Sequence, residues 1–235
     1  MKVNTDGILL GAWSLLPSSE NKAFQHIIDI GTGTGLIALM LAQKKNSIEQ
    51  NAKTRDGNID AIEIDEAAAE QARFNVAHSP WPEQINIIKN DIKLFAQQSV
   101  NHERYDLLVS NPPYFSDSLL GPNTQRNLAR HNNQLSFSEL LSCAFLLASK
   151  KAVFNLILPI NEAQRLLSLC EKHHWYVAKL TEVSSVVGKP ATRLLLSLQK
   201  VKPSELQRCS FAIRDTNNLY TEEYKALCKD FYLKF

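Results

Sequence analysis

The chain has 235 residues, of which 44% are apolar and 21% charged, an ordinary composition for one large α/β domain or two small ones. A formal net charge of +2 is too small to predict nucleic-acid binding by itself, and no apolar run is long enough to span a membrane. The four cysteines are widely spaced without a C-x-x-C pair, which argues against disulfides and a zinc site and fits a reducing cytoplasm.

The first half of the chain alternates predicted strands and helices, as in βαβ units. Residues 1–17 predict an amphipathic helix lying on the domain, because no signal-peptide cleavage site follows their apolar stretch. The predicted strands are residues 26–30, 59–64, 85–89 and 105–110, and the predicted helices are residues 36–45 and 66–77. The polar residues 46–58 predict a loop.

The second half begins with a long polar loop over residues 116–134, of a kind that often carries function. Helices are predicted at residues 138–149, 162–173 and 221–231, and strands at residues 152–159, 176–187 and 193–200. Residues 207–214 are compatible with a further edge strand. No change in composition marks a boundary, so we expect a single domain over residues 1–235.

A glycine-rich run, Gly31-Thr32-Gly33-Thr34-Gly35, follows the first predicted strand. Ligands of open α/β sheets bind at the carboxyl ends of the strands, and glycines let a ligand approach the backbone there. A dinucleotide site usually has a third glycine where this chain has Leu36, and Asp29 before the run would repel a pyrophosphate. Asp29 would instead attract an ammonium group, while Glu63 and Asp91 end the next two predicted strands. The pattern therefore favours S-adenosylmethionine over a dinucleotide.

The tetrapeptide Asn111-Pro112-Pro113-Tyr114 follows the fourth predicted strand. The Asn111 carboxamide oxygen and the Pro112 carbonyl can each accept one N–H of a planar amino group, which would aim the nitrogen lone pair at a sulfonium methyl. Prolines stiffen this corner. Tyr114, helped by Phe115, offers a face for stacking a base, a contact worth about 1–3 kcal/mol. The alternative interpretation is a loop that merely ends the strand.

Four segments together resemble the bacterial tRNA valine adenine-N6 methyltransferases, which methylate adenine 37 beside the anticodon. They are residues 2–13, residues 29–35, residues 111–114 and residues 231–233. The resemblance covers nearly the whole chain and implies a Rossmann-like class I methyltransferase fold. That fold has a seven-stranded, mostly parallel sheet with an antiparallel last strand and helices on both faces. Residues 1–25 would form a cap, residues 26–110 the cofactor-binding half and residues 111–235 the substrate-binding half.

The resemblance also implies roles for individual residues. Asp29, Gly31 and Gly33 would flank the methionine and ribose parts of S-adenosylmethionine. Glu63 would bind the ribose hydroxyls, and Asp91 would meet the cofactor adenine. Thr5 and Asp6 would close over the cofactor, and Asn111, Pro112 and Tyr114 would hold the target base. We expect tRNA as the partner, and a cytoplasmic monomer with neither a metal nor a membrane.

Several cations are candidates for contacts with tRNA phosphates. Arg126, Arg130 and His131 lie in the predicted loop after the proline corner, and Lys189 and Arg193 lie near the junction of two later strands. Both groups could face the same edge of the sheet and make binding salt-dependent. The alternative is a set of ordinary solvated charges.

Other functions remain open at this point. A protein glutamine methyltransferase acting on release factors shares the Asn-Pro-Pro-Tyr corner but needs an N-terminal helical substrate domain, and only 25 residues precede His26. A guanine-N2 methyltransferase would also suit the corner. From other classes, a dinucleotide-dependent oxidoreductase and a non-catalytic nucleic-acid-binding module are possible. Leu36 argues against the first, and the presence of Asn111 and the glycines argues against the second.

Overall fold

A computed structural model describes residues 4–16, 26–48, 59–113 and 135–234. The strands are β1 Ile27–Ile30, β2 Ile59–Glu63, β3 Ile85–Lys89, β4 Tyr105–Ser110, β5 Ala148–Pro159, β6 Tyr176–Val186, β7 Ala191–Gln199 and β8 Gln207–Arg214. The helices are α1 Thr5–Trp13, α2 Leu36–Ile48, α3 Glu66–Ala77, α4 Ile92–Gln97, α5 Phe137–Leu147, α6 Ile160–Cys170 and α7 Glu222–Cys228. Short 3-10 turns at Ser99–Asn101, Glu171–His173 and Lys229–Phe231 complete the described elements.

The strands form one sheet in the order β3-β2-β1-β4-β5-β7-β6-β8. Strands β1 to β5 pair in parallel, so their carboxyl ends meet at one edge. Strand β7 runs antiparallel to both of its neighbours, β5 and β6, and β8 returns parallel to β6. The sheet is therefore mostly parallel, as predicted.

The predicted count of seven strands is wrong, because β8 adds an eighth at the edge. The antiparallel strand is β7, the last of the seven predicted strands, and β8 covers residues 207–214, which the sequence left as a possible edge strand. The physical reason is visible in β8, which pairs with β6 alone and has no fully buried residue. A half-exposed edge strand lacks the apolar run by which a central strand is recognised.

Helices cover both faces of the sheet, as expected. The alternation of a strand sends Ile27 to one face, where it packs with α1, α2 and α7, and sends Ile28 to the other, where it packs with α4, α5 and α6. Both isoleucines are completely buried. The central strands thus read as continuous apolar runs because each is covered from both sides.

Helix α1 differs from the expected amphipathic surface helix, because most of its residues are buried. Gly7 and Gly11 lie on its contact with α2, and a Cβ atom added to Gly11 would lie 2.6 Å from the Met40 sulfur. A larger residue at that position would therefore require the Met40 side chain to move. Since Gly7 faces Leu36 and Gly11 faces Met40, α1 and α2 run side by side in the same direction.

Both ends of α1 are held by side chains. Asn4 caps its start, accepting a hydrogen bond of 2.7 Å from the Gly7 N–H through Oδ1. At its end, the Lys44 Nζ donates to the carbonyls of Gly11, Ala12 and Ser14 at 3.1, 2.5 and 2.7 Å. The last carbonyls of a helix receive no hydrogen bond from within it, so a cation at this negative end can satisfy them. Helix α1 is thus fixed along its whole length.

Several predicted boundaries shift. Helix α2 continues to Ile48, so residues 46–48 are helical, whereas residues 49–58 of that predicted loop lie outside the described residues. The short helix α4 was not predicted. Strand β5 begins at Ala148, four residues before its predicted start, and ends the preceding helix at Leu147. Among the described helices, none has the length and apolar character needed to cross a membrane.

Candidate functional site

The glycine run and the proline corner leave the sheet side by side. Strands β1 and β4 are parallel neighbours with Asp29 opposite Val109, so the residues after them emerge at the same level. The buried Ser110 hydroxyl donates a hydrogen bond of 2.9 Å to the Ile30 carbonyl. This bond joins the last residue of β4 to the last residue of β1, directly before Asn111 and Gly31.

The glycine run forms a turn that is fixed against β2. The N–H groups of Gly31 and Thr32 both donate to the Ile62 carbonyl, at 2.9 and 3.0 Å. Gly31, Gly33 and Gly35 have φ angles of 73°, 60° and 84°, which favour glycine. Gly31 is exposed, and a Cβ atom built on it would meet nothing within 4 Å. The turn therefore has open space above it where a ligand can approach the backbone.

Asp29 places a buried carboxyl group beneath this turn. Its Oδ2 accepts a hydrogen bond of 2.6 Å from the Thr32 hydroxyl, whereas Oδ1 is buried and has no hydrogen-bond partner among the described residues. Burial raises the pKa of Asp29 to about 7 and Glu63 adds to the rise, whereas the Thr32 hydroxyl and the nearby Ala38 N–H lower it. A buried carboxylate with an unpaired oxygen is strongly stabilised by an incoming cation.

Glu63 ends β2 and reaches across to the glycine turn. Its Oε2 accepts from the Gly33 N–H at 2.8 Å, and its Oε1 accepts from the N–H groups of Ile64 and Asp65, both at 2.9 Å. A carboxylate has about four acceptor positions, so one on Oε2 remains for a ligand hydroxyl. Asp91 follows β3 and caps α4, with Oδ1 accepting from the Lys93 N–H at 2.8 Å. Acidic side chains therefore stand at or beside the carboxyl ends of β1, β2 and β3.

The proline corner is described as far as Pro113. Asn111 is half-buried, Pro112 is buried and Pro113 is exposed. The predicted residues Tyr114, Phe115, Arg130 and His131, together with Arg126, lie outside the described residues. Among the predicted base-binding residues, the structure therefore places Asn111 and Pro112 at the edge that carries the glycine turn.

Helix α1 brings Thr5 and Asp6 to this same edge, because it runs parallel to α2, which starts there. Thr5 is exposed. The Asp6 Oδ2 accepts a hydrogen bond of 2.9 Å from the Arg193 Nε, and the two side chains are 15% and 30% exposed. Arg193 lies opposite Pro159, at the carboxyl end of β5. Arg193 is thus ion-paired with Asp6, a partner that was not predicted from the sequence.

Lys189 is exposed in the turn between β6 and β7, at the same edge as the other candidate residues. Sequence reasoning missed Ser110, Thr32 and the pairing of Asp6 with Arg193. The contact of Thr32 with Asp29 could have been predicted, because Thr32 follows three residues later in a turn, where a hydroxyl can reach back to a carboxylate. Within the four described ranges, no group of three or more metal-ligating side chains is assembled.

Comparison with known proteins identifies the family. A family model described as "Methyltransferase small domain" matches residues 5–136. The tRNA1(Val) (adenine(37)-N6)-methyltransferase of Pectobacterium carotovorum subsp. carotovorum (strain PC1) is 41% identical over 233 residues, which cover 99% of this chain and 88% of that protein. The chain belongs to this methyltransferase family.

A second member of the methyltransferase family, from Bacteroides thetaiotaomicron, is 40% identical over 99% of this chain and 91% of its own length. Among solved structures, a predicted O-methyltransferase from Agrobacterium tumefaciens, protein Atu636, superposes with a TM-score of 0.66. It covers 96% of each chain at 18% identity, which shows a shared fold. The expected family and the expected class I methyltransferase fold are both confirmed.

Proposed function

We propose that this protein transfers a methyl group from S-adenosylmethionine to N6 of adenine 37 in valine tRNA. The observation that carries the proposal is the side-by-side exit of the glycine turn and the Asn-Pro-Pro corner, joined by the hydrogen bond from Ser110 to Ile30. A methyl donor on the first and an amino group on the second would meet at one sheet edge. The names of the family members supply the identity of the base and of the tRNA.

The cofactor residues suit the separate parts of S-adenosylmethionine. The ammonium group of its methionine part complements the buried, unpaired Oδ1 of Asp29. The open space above Gly31 admits the chain between the methionine and the ribose. Glu63 keeps one acceptor position for a ribose hydroxyl, and Asp91 lies one strand further on, towards the cofactor adenine. Thr5 and Asp6 close this cleft from α1.

The proline corner is proposed to act on the target base. The exocyclic nitrogen of adenine is a poor nucleophile because its lone pair is delocalised into the ring. If the Asn111 carboxamide oxygen and the Pro112 carbonyl each accept one N–H, the nitrogen becomes pyramidal and its lone pair points at the methyl group. The same two oxygens stabilise the positive charge that develops on nitrogen.

The bound cofactor supplies an electrophilic methyl group. As the nitrogen–carbon bond forms, the carbon–sulfur bond breaks and its electron pair stays on sulfur. The methylated nitrogen then loses one proton to water, so no strong general base is required. Tyr114 and Phe115 are proposed to stack on the base, and Arg130, His131 and Lys189 to contact tRNA phosphates. We propose a cytoplasmic monomer.

The experiment incubates the purified protein with S-adenosylmethionine and valine tRNA that lacks the modification at position 37. Nucleoside mass spectrometry should detect N6-methyladenosine, and a tRNA with guanine at position 37 should give none. If the adenine-37 tRNA, carrying its other modifications, also gives no N6-methyladenosine, the proposed substrate is wrong.

A further inference from the structure

The first turn of α1 is held by the Asn4 cap, by the packing of Gly7 against α2 and by an ion pair to the sheet. Gly7 and Gly11 pack its middle against α2, and Lys44 holds its end. The first turn of a helix has N–H groups without intrahelical acceptors, so its position depends on contacts made from outside the helix. Asn4 satisfies one of these groups, that of Gly7, within the helix itself.

The ion pair of Asp6 with Arg193 joins this first turn to the sheet. Asp6 is the second residue of α1, and Arg193 is the third residue of β7, opposite the last residue of β5. The two side chains are mostly shielded from water, so their attraction is less screened than that of a surface pair. The negative charge also lies at the positive end of the helix dipole, which favours this position further.

We propose that Arg193 is a positioning residue for the cofactor cleft. Through Asp6, it holds the first turn of α1 over the carboxyl edge of the sheet, and it contacts neither the cofactor nor the tRNA. Asp6 in turn acts by fixing the position of α1 rather than through a direct bond to the cofactor. This inference rests on the proposed function, because it assumes that the cleft binds S-adenosylmethionine.

A double-mutant cycle on cofactor binding tests the inference. Asp6→Asn and Arg193→Gln each remove one charge at nearly constant shape, and calorimetry without tRNA gives the dissociation constant for S-adenosylmethionine. We expect each single variant to bind about tenfold more weakly and the double variant to bind no more weakly than the worse single variant. Such non-additivity is the signature of two residues that act as one unit.

Two further variants separate positioning from general structural damage. Arg193→Lys keeps the positive charge and should recover most of the lost affinity. The control variant Arg165→Gln also removes an arginine from an ion pair, here with Glu162 at 3.1 Å. This pair lies on α6, on the face of the sheet opposite to α1, so cofactor binding should be unchanged. In turnover assays, Arg193→Gln should raise KM for the cofactor while KM for tRNA stays as in the wild type.

Two results would overturn the inference. If Arg193→Gln binds the cofactor normally but has a raised KM for tRNA, Arg193 is a phosphate contact. If the affinity losses of the two single variants add up in the double variant, Asp6 acts on the cofactor independently. Should Arg193→Gln fail to fold, Asp6→Asn carries the test, because normal cofactor affinity in that variant also contradicts the inference. Cofactor binding is measured without tRNA, so a failure of the proposed substrate is seen separately.

Discussion

The hydroxyl of Ser110 donates a hydrogen bond of 2.9 Å to the carbonyl of Ile30, and both residues are the last of their strands. Asn111 follows the donor and Gly31 follows the acceptor. Together with the pairing of β1 and β4, this buried contact therefore fixes the distance between the proposed amine-binding corner and the proposed cofactor turn.

We expect Ser110→Ala to reduce turnover more than cofactor binding. Loss of this buried bond should cost about 1–2 kcal/mol of stability, and a small displacement of the corner should lower kcat by about tenfold or more. Ser149→Ala is the matched control, because it removes a bond of 2.8 Å to Asp106 near the other end of β4. Equal kcat losses in the two variants would contradict a specific role for Ser110. Steady-state kinetics and chemical denaturation provide both measurements.

Asn111→Ala should strongly reduce methyl transfer and largely spare cofactor affinity. The carboxamide is proposed to stabilise charge that develops during the reaction, and removal of one such group typically lowers kcat about 100- to 1,000-fold. The control is Asn86→Ala, which should leave kcat unchanged. Asn86 is an exposed residue of the edge strand β3, and its side chain donates a hydrogen bond to Asp60 on β2. Single-turnover kinetics and calorimetry separate the two effects. A collapse of cofactor affinity in Asn111→Ala would assign this residue to the other half of the site.

Gly31→Ala should weaken cofactor binding, whereas Gly188→Ala should not. Both glycines have similar positive φ angles, 73° and 78°, and a Cβ atom on either would meet nothing within 4 Å. Each substitution therefore costs about 1–2 kcal/mol of stability through backbone strain alone. At Gly31 the added methyl group also occupies the space proposed for the ligand. Thermal unfolding should thus show equal losses of stability in the two variants, whereas calorimetry should show weaker cofactor binding only in Gly31→Ala. Equal cofactor affinities would place the ligand elsewhere.

Cofactor affinity should depend on pH through Asp29. Its pKa is raised to about 7 in the folded protein from an ordinary value of 3.8. The protonated carboxyl group therefore adds to the stability of the fold below pH 4, and this stabilisation is lost as the pH rises to 7. An ammonium group binds the ionised form, so affinity should rise about tenfold per pH unit between pH 5.5 and 6.5, with proton release. Calorimetry in buffers of different ionisation enthalpy detects that proton. Asp29→Asn should show a flat profile, and a flat wild-type profile would separate Asp29 from the ammonium group.

The cofactor-binding half was largely predictable because its strands are covered on both faces. Ile27 and Ile28 are completely buried on opposite sides of the sheet, and such strands appear in the sequence as unbroken apolar runs. The edge strand β8 carries no such run, so residues 207–214 were only compatible with an edge strand and were left out of the predicted count of seven. The burial of α1 depends on Gly7 and Gly11, and glycines do not register as an apolar face until their partner helix is known.

The functional site shows the same difference between local patterns, which were predictable, and long-range contacts, which were not. The turn at Gly31, the acidic residues at the strand ends and the corner at Asn111 are local patterns, and the structure brings them to one edge. The contact of Asp6 with Arg193 joins residues 187 positions apart and leaves no local trace in the sequence. Tertiary pairing of this kind becomes visible only when β7 is placed between β5 and β6.

That placement has a consequence for how the protein matures on the ribosome. Strand β7 lies between β5 and β6 but is synthesised after both. At about 5–20 residues per second, Arg193 follows Asp6 into the nascent chain after about 10–40 s. During that interval α1 has been made and can pack on β5, yet the ion pair that joins its first turn to β7 is missing. Protection of this first turn from proteases should therefore be one of the last events of synthesis, although its residues are among the first to be translated.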